Sequence, residues 1–346
     1  MDLKALIENV HSQGGSEIHL KVASPPLMRL NKNLKRLSMP AVMAPDLDGL
    51  VKTLLVEDEQ KRFQETQNFE ANFFGGPPCN FRVSLFKAQG QTQAIVRIIR
   101  SAVPSLQELG FPSQFGELTN ARSGLIILAG PARSGISTSL AALVEHINQN
   151  RACHVLVMED PIDFGFVSKR AIISQRQLRK DVHTVEQGIN FAKRMDVDML
   201  VIGDLKKEVP LRALLEYING GHLVILTMQT LGIMNTVEKI LISFPESDRE
   251  HICNMLARDL LGICSQALLF NPVDKRMLPI HEILMVNHTV RGIIQKGRTS
   301  QLESNISSAG EGSRLFESHL VRLIRETKLS KETSDGFLTM YRGVKG

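Results

Sequence analysis

Gly124–Thr138 reads GLIILAGPARSGIST, and its two halves ask different things of the backbone. Gly124–Ala129 is an unbroken apolar run. A strand with one wet face alternates apolar and polar side chains, so an unbroken run predicts a strand buried on both faces, as inside a parallel sheet. Gly130-Pro131 then turns the chain, and Ser137-Thr138 leads into the helical pattern Leu140–Asn148. A strand, a glycine loop and a helix start, in that order, gather backbone N–H groups and the positive end of a helix dipole at one point. That arrangement suits an anion. The phosphate-loop pattern is G-x-x-x-x-G-K-[ST]. Gly130, Gly135 and Ser137 satisfy it, but Ile136 stands where the lysine belongs. A plain strand-to-helix turn uses glycines in the same way, so this string alone leaves both readings open.

Further strands of the same kind follow at His154–Met158 (HVLVM), Met199–Ile202 (MLVI) and Leu223–Thr227 (LVILT). Helical patterns at Val185–Arg194 and Leu211–Asn219 separate them. Repeated strand–helix units of this length predict a parallel α/β sheet covered by helices. Upstream, Ile18–Val22, Phe81–Phe86 and Ala94–Ile99 are strand-like, and Asn72–Cys79 (NFFGGPPC) reads as a turn, which together predict a small α+β domain over 1–100. Residues 101–123 read as a linker ending in a short helix, and 124–285 as the P-loop α/β domain. From about Pro245 the pattern is mostly helical, broken by a strand-like Pro279–Val286, and 286–346 forms a helical C-terminal region. Ser304–Ser313 reads as a flexible loop.

Composition narrows the function classes. Hydrophobic residues at 43% and charged residues at 22% fit a soluble globular chain. With no Trp and two Tyr, the stacking platforms of a single-strand nucleic-acid binder are lacking, and no nucleic-acid partner is expected. The formal charge of +5 is spread out and selects no partner. Cys79, Cys153, Cys253 and Cys264 have no metal-ligand spacing and read as reduced cytosolic thiols. The start, MDLKALIENVHSQGG, reads as a short amphipathic helix without the apolar core of a signal peptide. No run of 18 apolar residues suggests a transmembrane segment, so a cytoplasmic protein is expected.

Taken together, these motifs resemble the PilT/PilU retraction ATPases of the type IV pilus, within the type II/type IV secretion ATPase superfamily. GPARSGISTSLAALVEHIN, from Gly130, is similar to their Walker A segment. Val157–Phe164 (VMEDPIDF) resembles the Asp box, and Ile173–Arg176 the segment after it. Asp196–Asp204 (DVDMLVIGD) resembles Walker B, and Gly221–Thr230 (GHLVILTMQT) the His box. Ser16–Leu20, Phe81–Phe86 and Thr289–Ile294 also sit where the family has similar strings, so the likeness covers roughly 1–330.

The resemblance implies a RecA-like core, a PAS-like N-terminal domain and a hexameric ring. It implies ATP and Mg²⁺ as ligands. Partners would be further copies or an active PilT-like paralog, and a platform protein of the inner membrane at whose cytoplasmic face the ring sits. Gly130, Arg133, Ser134, Gly135, Ile136, Ser137 and Thr138 would line the phosphates, with Ser137 and Asp160 toward the metal. Glu159, Asp204 and His222 would serve catalysis, although His222, after a Gly-Gly turn, reads equally as a structural histidine at a strand start, and Arg82 and Arg97 would reach a neighbouring subunit. The departures all fall on phosphate chemistry. Ile136 replaces the lysine, and Arg133 a loop glycine. Asp204 stands where a glutamate is usual, and Gln229 where the second histidine would be. Lys206 and Lys207 replace an Arg-Asp pair. The implied activity is that of a pseudo-ATPase or weak ATPase. Two alternatives stay open: a working ATPase with a non-standard phosphate site, in which Arg133 supplies the charge, or a structural or regulatory subunit of a secretion or competence machine.

Overall fold

Side-chain alternation distinguishes the two sheets of this protein. The computed structural model describes residues 2–30, 33–74, 80–98, 103–203, 210–271, 275–306 and 310–345. One compact unit comprises Met1–Ala102 with Pro161–Gly165, the other Val103–Asp160 with Phe166–Gly346.

In the first unit, β1 (Glu17–Leu20), β2 (Leu27–Leu30), β3 (Asn33–Arg36), β4 (Asn68–Phe74), β5 (Asn80–Ala88) and β6 (Gln91–Ile98) form an antiparallel sheet in the order β3-β2-β1-β6-β5-β4. Phe81, Val83 and Leu85 of β5 point inward, while Arg82, Ser84 and Phe86 between them stay half-exposed. A sheet with one wet face requires that pattern. Helices Leu3–Ser12, Ala44–Leu54 and Glu57–Thr66 cover the inner face through Leu6, Ile7, Val10, Leu47, Leu50 and Phe63. Asn72–Phe74 of the expected turn belong to β4, and residues 75–79 lie outside the described residues.

The second unit holds β7 (Gly124–Ala129), β8 (His154–Glu159), β9 (Ile172–Gln177), β10 (Met199–Ile202), β11 (Leu223–Met228), β12 (Leu260–Asn271) and β13 (Arg276–Met285). Their order is β13-β12-β7-β11-β10-β8-β9, parallel throughout except for β13, which pairs antiparallel with β12 at the edge. Every residue of β7 and β10 is buried because the two faces feed two different cores. Ile126 and Leu128 join Val155, Val157, Met199, Val201 and Ile225 on one side, under helix Ile136–Asn150. Leu125, Ile127 and Ala129 join Leu156, Leu200, Ile202 and Val224 on the other, under helices Val185–Ala192, Leu211–Asn219, Ile233–Ile242, Glu246–Asp259 and His288–Gln295. The expected α/β sheet is therefore present, and its unbroken apolar runs follow from burial on both sides.

Three expectations change. The 101–123 segment is no free linker from 103 onward, since Phe111 and Phe115 are buried in the core of the second unit. The region read as mostly helical contains the twelve-residue β12 (LLGICSQALLFN), whose stretch Gly262–Ala267 is buried on both faces and so lacks the alternation that marks a strand. In the expected loop 304–313, Ser304–Ile306 close a short helix, Leu302–Ile306, and 307–309 lie outside the described residues.

The last helices, Phe316–Arg325 and Lys331–Lys345, pack against the β12–β13 hairpin through Phe316, Leu320, Phe337 and Tyr341, meeting Ala267 and Ile280. The Tyr341 hydroxyl donates to the buried Glu282 carboxylate at 3.0 and 3.1 Å, and Glu282 Oε2 also accepts the Ile233 N–H at 2.8 Å. Tyr341→Ala removes a ring that is 1% exposed, so it is expected to destabilise this unit by about 3–5 kcal/mol. Tyr341→Phe keeps the packing and loses one hydrogen bond to a charged group, about 1.5–3 kcal/mol. Urea midpoints of the two variants should rank in that order.

Candidate phosphate-binding site

The loop after β7 is assembled from backbone constraints first. The Gly130 N–H donates to the Met228 carbonyl at 3.0 Å, fastening the end of β7 to the end of β11. A Cβ on Gly130 would lie 2.4 Å from Ser134 Oγ and 2.7 Å from the Gln266 carbonyl oxygen, so only glycine fits. Gly135, the N-cap of helix Ile136–Asn150, has φ +83°, and Arg133 has φ +66°. Glycine adopts this left-handed region freely, whereas Arg133 does so at a cost of about 1 kcal/mol. The first-turn N–H groups of residues 136–138 have no partner within the helix and carry its positive dipole end. Ser134 is 4% exposed, and its Oγ has no hydrogen-bond partner among the described residues. A buried hydroxyl left this way at a helix mouth suits an incoming acceptor such as a phosphate oxygen.

Ser137 and Thr138 are half-buried at the helix start, and Arg133 is exposed. Ile136 is half-buried and packs on the core beneath the loop, with its Cγ1 2.9 Å from the place a Gly130 Cβ would occupy. It fills the volume of an aliphatic stem without delivering a charge to the mouth.

The acids come from the same end of the sheet. Glu159 ends β8 and is 4% exposed. Gly203, just past β10, lies against it: a Cβ there would meet Glu159 Oε1 at 2.7 Å and Leu140 Cδ2 at 2.6 Å. Asp160 is buried in an ion pair with Arg179, which the sequence reading did not single out. Asp204, with Lys206 and Lys207, lies outside the described residues. Gln229 follows β11 at this end and is exposed.

His222 stands at the other end of its strand. It precedes β11, and its backbone oxygen accepts from the Gly124 N–H at the start of β7. Its ring stacks on Tyr217 at 4.2 Å, with Nδ1 3.2 Å from the Val197 carbonyl. Six strand residues at about 3.3 Å each separate it from the loop, so it does not join Glu159 in the same chain. Its contacts are those of a histidine that packs a strand start.

Arg82 and Arg97 stand on the half-exposed face of the first unit. The register places Arg29, Glu17, Arg97, Arg82 and Asn72 in one row across five strands. Glu17 accepts from Arg29 Nε at 2.7 Å and from the Arg97 guanidinium at 2.6 and 2.9 Å. Arg82 donates to Asn72 Oδ1 at 2.8 Å and to Asp163 Oδ1 at 2.6 Å. Both arginines thus have partners in their own chain. Burial alone would raise the Glu17 pKa, but the bonds from Arg29 and Arg97 outweigh it and hold the carboxyl below its ordinary value.

Residues 2–276 match the family described as type II/IV secretion system protein. The chain belongs to that family. It is 27% identical over 335 residues to the type IV pilus retraction ATPase PilT of Pseudomonas aeruginosa, covering 96% of this chain and 97% of that one. A twitching motility protein of Neisseria gonorrhoeae is 30% identical over 312 residues, covering 89% of this chain and 83% of its own. Among solved structures, the pilus retraction motor PilT with bound ADP superposes at a TM-score of 0.88, with 26% identity and 96% of both chains covered. The retraction-ATPase likeness and the α/β fold read from the motifs are borne out. No helix among the described residues is long and apolar enough to cross a membrane. Among them, no cluster of three or more His, Cys, Asp or Glu side chains is placed to hold a metal.

Three outcomes follow from this geometry. Arg133→Gly relieves the positive φ and is expected to stabilise the fold by up to about 1 kcal/mol in urea denaturation. Gly203→Ala is expected to cost about 1–3 kcal/mol by forcing Glu159 and Leu140 apart. Because the folded Glu17 pKa lies below the unfolded one, its stabilisation is complete above the unfolded value and is lost as pH falls through the folded value. Glu17→Gln should therefore show a smaller loss of stability on acidification than the parent chain, measured by denaturation from neutral pH downward.

Proposed function

We propose that this chain is a subunit of a PilT/PilU-like twitching-motility motor that binds adenine nucleotide weakly, turns ATP over slowly and works in a ring with an active paralog. The ring docks on the cytoplasmic face of the inner-membrane pilus platform, and the chain itself is cytoplasmic. The observation that carries this reading is Ile136, an apolar side chain packed under a loop whose backbone still has the form of an anion cradle.

A phosphate fits the residues present. The N–H groups opening helix Ile136–Asn150, the buried Ser134 hydroxyl and the Gly130 turn would receive it, and the Ser137 hydroxyl would face a Mg²⁺ ion. When bound, Mg²⁺ with the nucleotide supplies charge neutralisation at the transferring phosphoryl group. Glu159, buried at the strand end, would orient a water. Asp160 is less suited to the metal because Arg179 already neutralises it. A lysine at position 136 would add a charge-assisted hydrogen bond of about 1.5–3 kcal/mol, so its absence weakens phosphate binding by roughly 10–100-fold. The loss is greater where charge develops in the transition state.

The exposed side chain of Arg133 favours one second reading, in which this arginine supplies the missing charge and the chain hydrolyses ATP on its own. Hydrolysis assays separate the two. The purified chain should turn over well below about 1 s⁻¹, the low end of ordinary enzymes, and Ile136→Lys should raise that rate by about 10²-fold. A parent rate of about 1 s⁻¹ or more, abolished by Arg133→Ala and by Glu159→Gln, would establish the second reading instead. Co-purification with an active retraction ATPase tests the ring partnership, and failure to associate counts against it.

A further inference from the structure

Two consecutive rungs of the β12–β13 ladder carry four buried polar side chains, Ser265 opposite Glu282 and Gln266 opposite His281, each at most 1% exposed. Polar groups this deep persist only where their bonds are satisfied. Ser265 and Glu282 meet the helix start after β11. Gln266 and His281 face the phosphate loop.

Gln266 touches the loop at two points. Its Nε2 donates to the Ser134 carbonyl at 2.8 Å, and its Oε1 accepts from Ser139 Oγ at 2.6 Å. One amide thus grips the residue before Gly135 and the first turn of the helix after it. Gly135 lies close above, where a Cβ would be 3.0 Å from Gln266 Nε2. The same Oε1 is 2.9 Å from His281 Nε2, and His281 Nδ1 is 2.9 Å from the Arg314 guanidinium.

Donor and acceptor roles in this chain are fixed by elimination. Arginine has only donors, so His281 Nδ1 accepts. A neutral imidazole then carries its proton on Nε2 and donates it to Gln266 Oε1. With Oε1 facing two donors, the amide must present its NH₂ to the Ser134 carbonyl. Burial, together with Arg314, His319 and Arg322, pushes the His281 pKa well below its ordinary value, which keeps the ring neutral as the chain of bonds requires. Beyond His281, its backbone N–H donates to His319 Nδ1 at 3.0 Å, tying the strut to helix Phe316–Arg325.

We propose that Gln266 is the positioning residue of the phosphate loop, holding the Ser134 carbonyl inward so that the first-turn N–H groups and the Ser134 hydroxyl stay aimed at a phosphate. His281 and Arg314 fix the polarity of that grip. The proposal rests on the nucleotide-site reading above, but the loop geometry can be measured without nucleotide.

Gln266→Glu keeps the shape but loses the donor to Ser134, and Gln266→Met loses both roles. Amide hydrogen exchange in the full chain should rise about 3–10-fold at the hydrogen-bonded amides of Ser134 and Ser139 in either variant, while β7 and β8 keep the parent rates. A role in stability alone would raise exchange across the whole unit. Nitrogen-15 histidine spectra of the unsubstituted chain should show His281 as a neutral, Nε2-protonated ring that does not titrate between about pH 5 and 8. Local exchange unchanged in both folded variants, or a His281 ring that titrates or carries its proton on Nδ1, would overturn the proposal. A titration with Mg-ADP completes the test. An unsubstituted chain that binds no ADP sinks the nucleotide reading, while exchange and spectra still decide the role of Gln266.

Discussion

Burial on both faces is the constraint that organises the second unit. Once β7 is covered from either side, none of its side chains can reach solvent, and the chemistry moves to the backbone at its end. There the chain must turn from strand to helix within a few residues. Gly130 and Gly135 make that turn, one because no Cβ fits and the other because its φ is positive. Glu159 and Gln229 arrive at the same edge because β8 and β11 run parallel to β7. A parallel sheet delivers all its strand ends to one side, which is where such folds place ligands.

Against that scaffold, the change at Ile136 is narrow in its effect. The loop geometry depends on glycines, backbone hydrogen bonds and the grip of Gln266, and none of these needs a lysine. An apolar side chain at 136 even contributes to the core beneath the loop. The fold can therefore remain intact while the electrostatics of the mouth weaken. Shape and charge at this loop are thus set by different residues.

In the first unit, electrostatics are arranged along one row of the sheet. Cross-strand neighbours Arg29 and Arg97 flank the Glu17 carboxylate, and Asp163 takes up Arg82 in the same row. Paired in this way, the guanidiniums have fixed positions on the half-exposed face rather than free rotamers, because each planar fork is matched to an oxygen.

The sequence by itself determined the strands β7, β8, β10 and β11 and the glycine turn from strand to helix at Gly130–Thr138. Unbroken apolar runs and glycine spacing are local records of burial and backbone shape. It also put Ile136 where the phosphate-loop pattern has lysine, because that position is defined by its distance from Gly135 alone. Only the tertiary structure decided where His222 goes, since the end of β11 that meets the loop depends on its register with β7. It alone revealed β12 as a strand and Gln266 as the residue beneath the loop, although a Ser-Gln pair inside an apolar run was a visible hint. The ion pairs of Asp160 with Arg179 and of Arg97 with Glu17 were likewise beyond reach. The physical reason is common to all of them: periodicity reports how deeply a residue is buried, while its partner is set by which distant strands the fold places side by side.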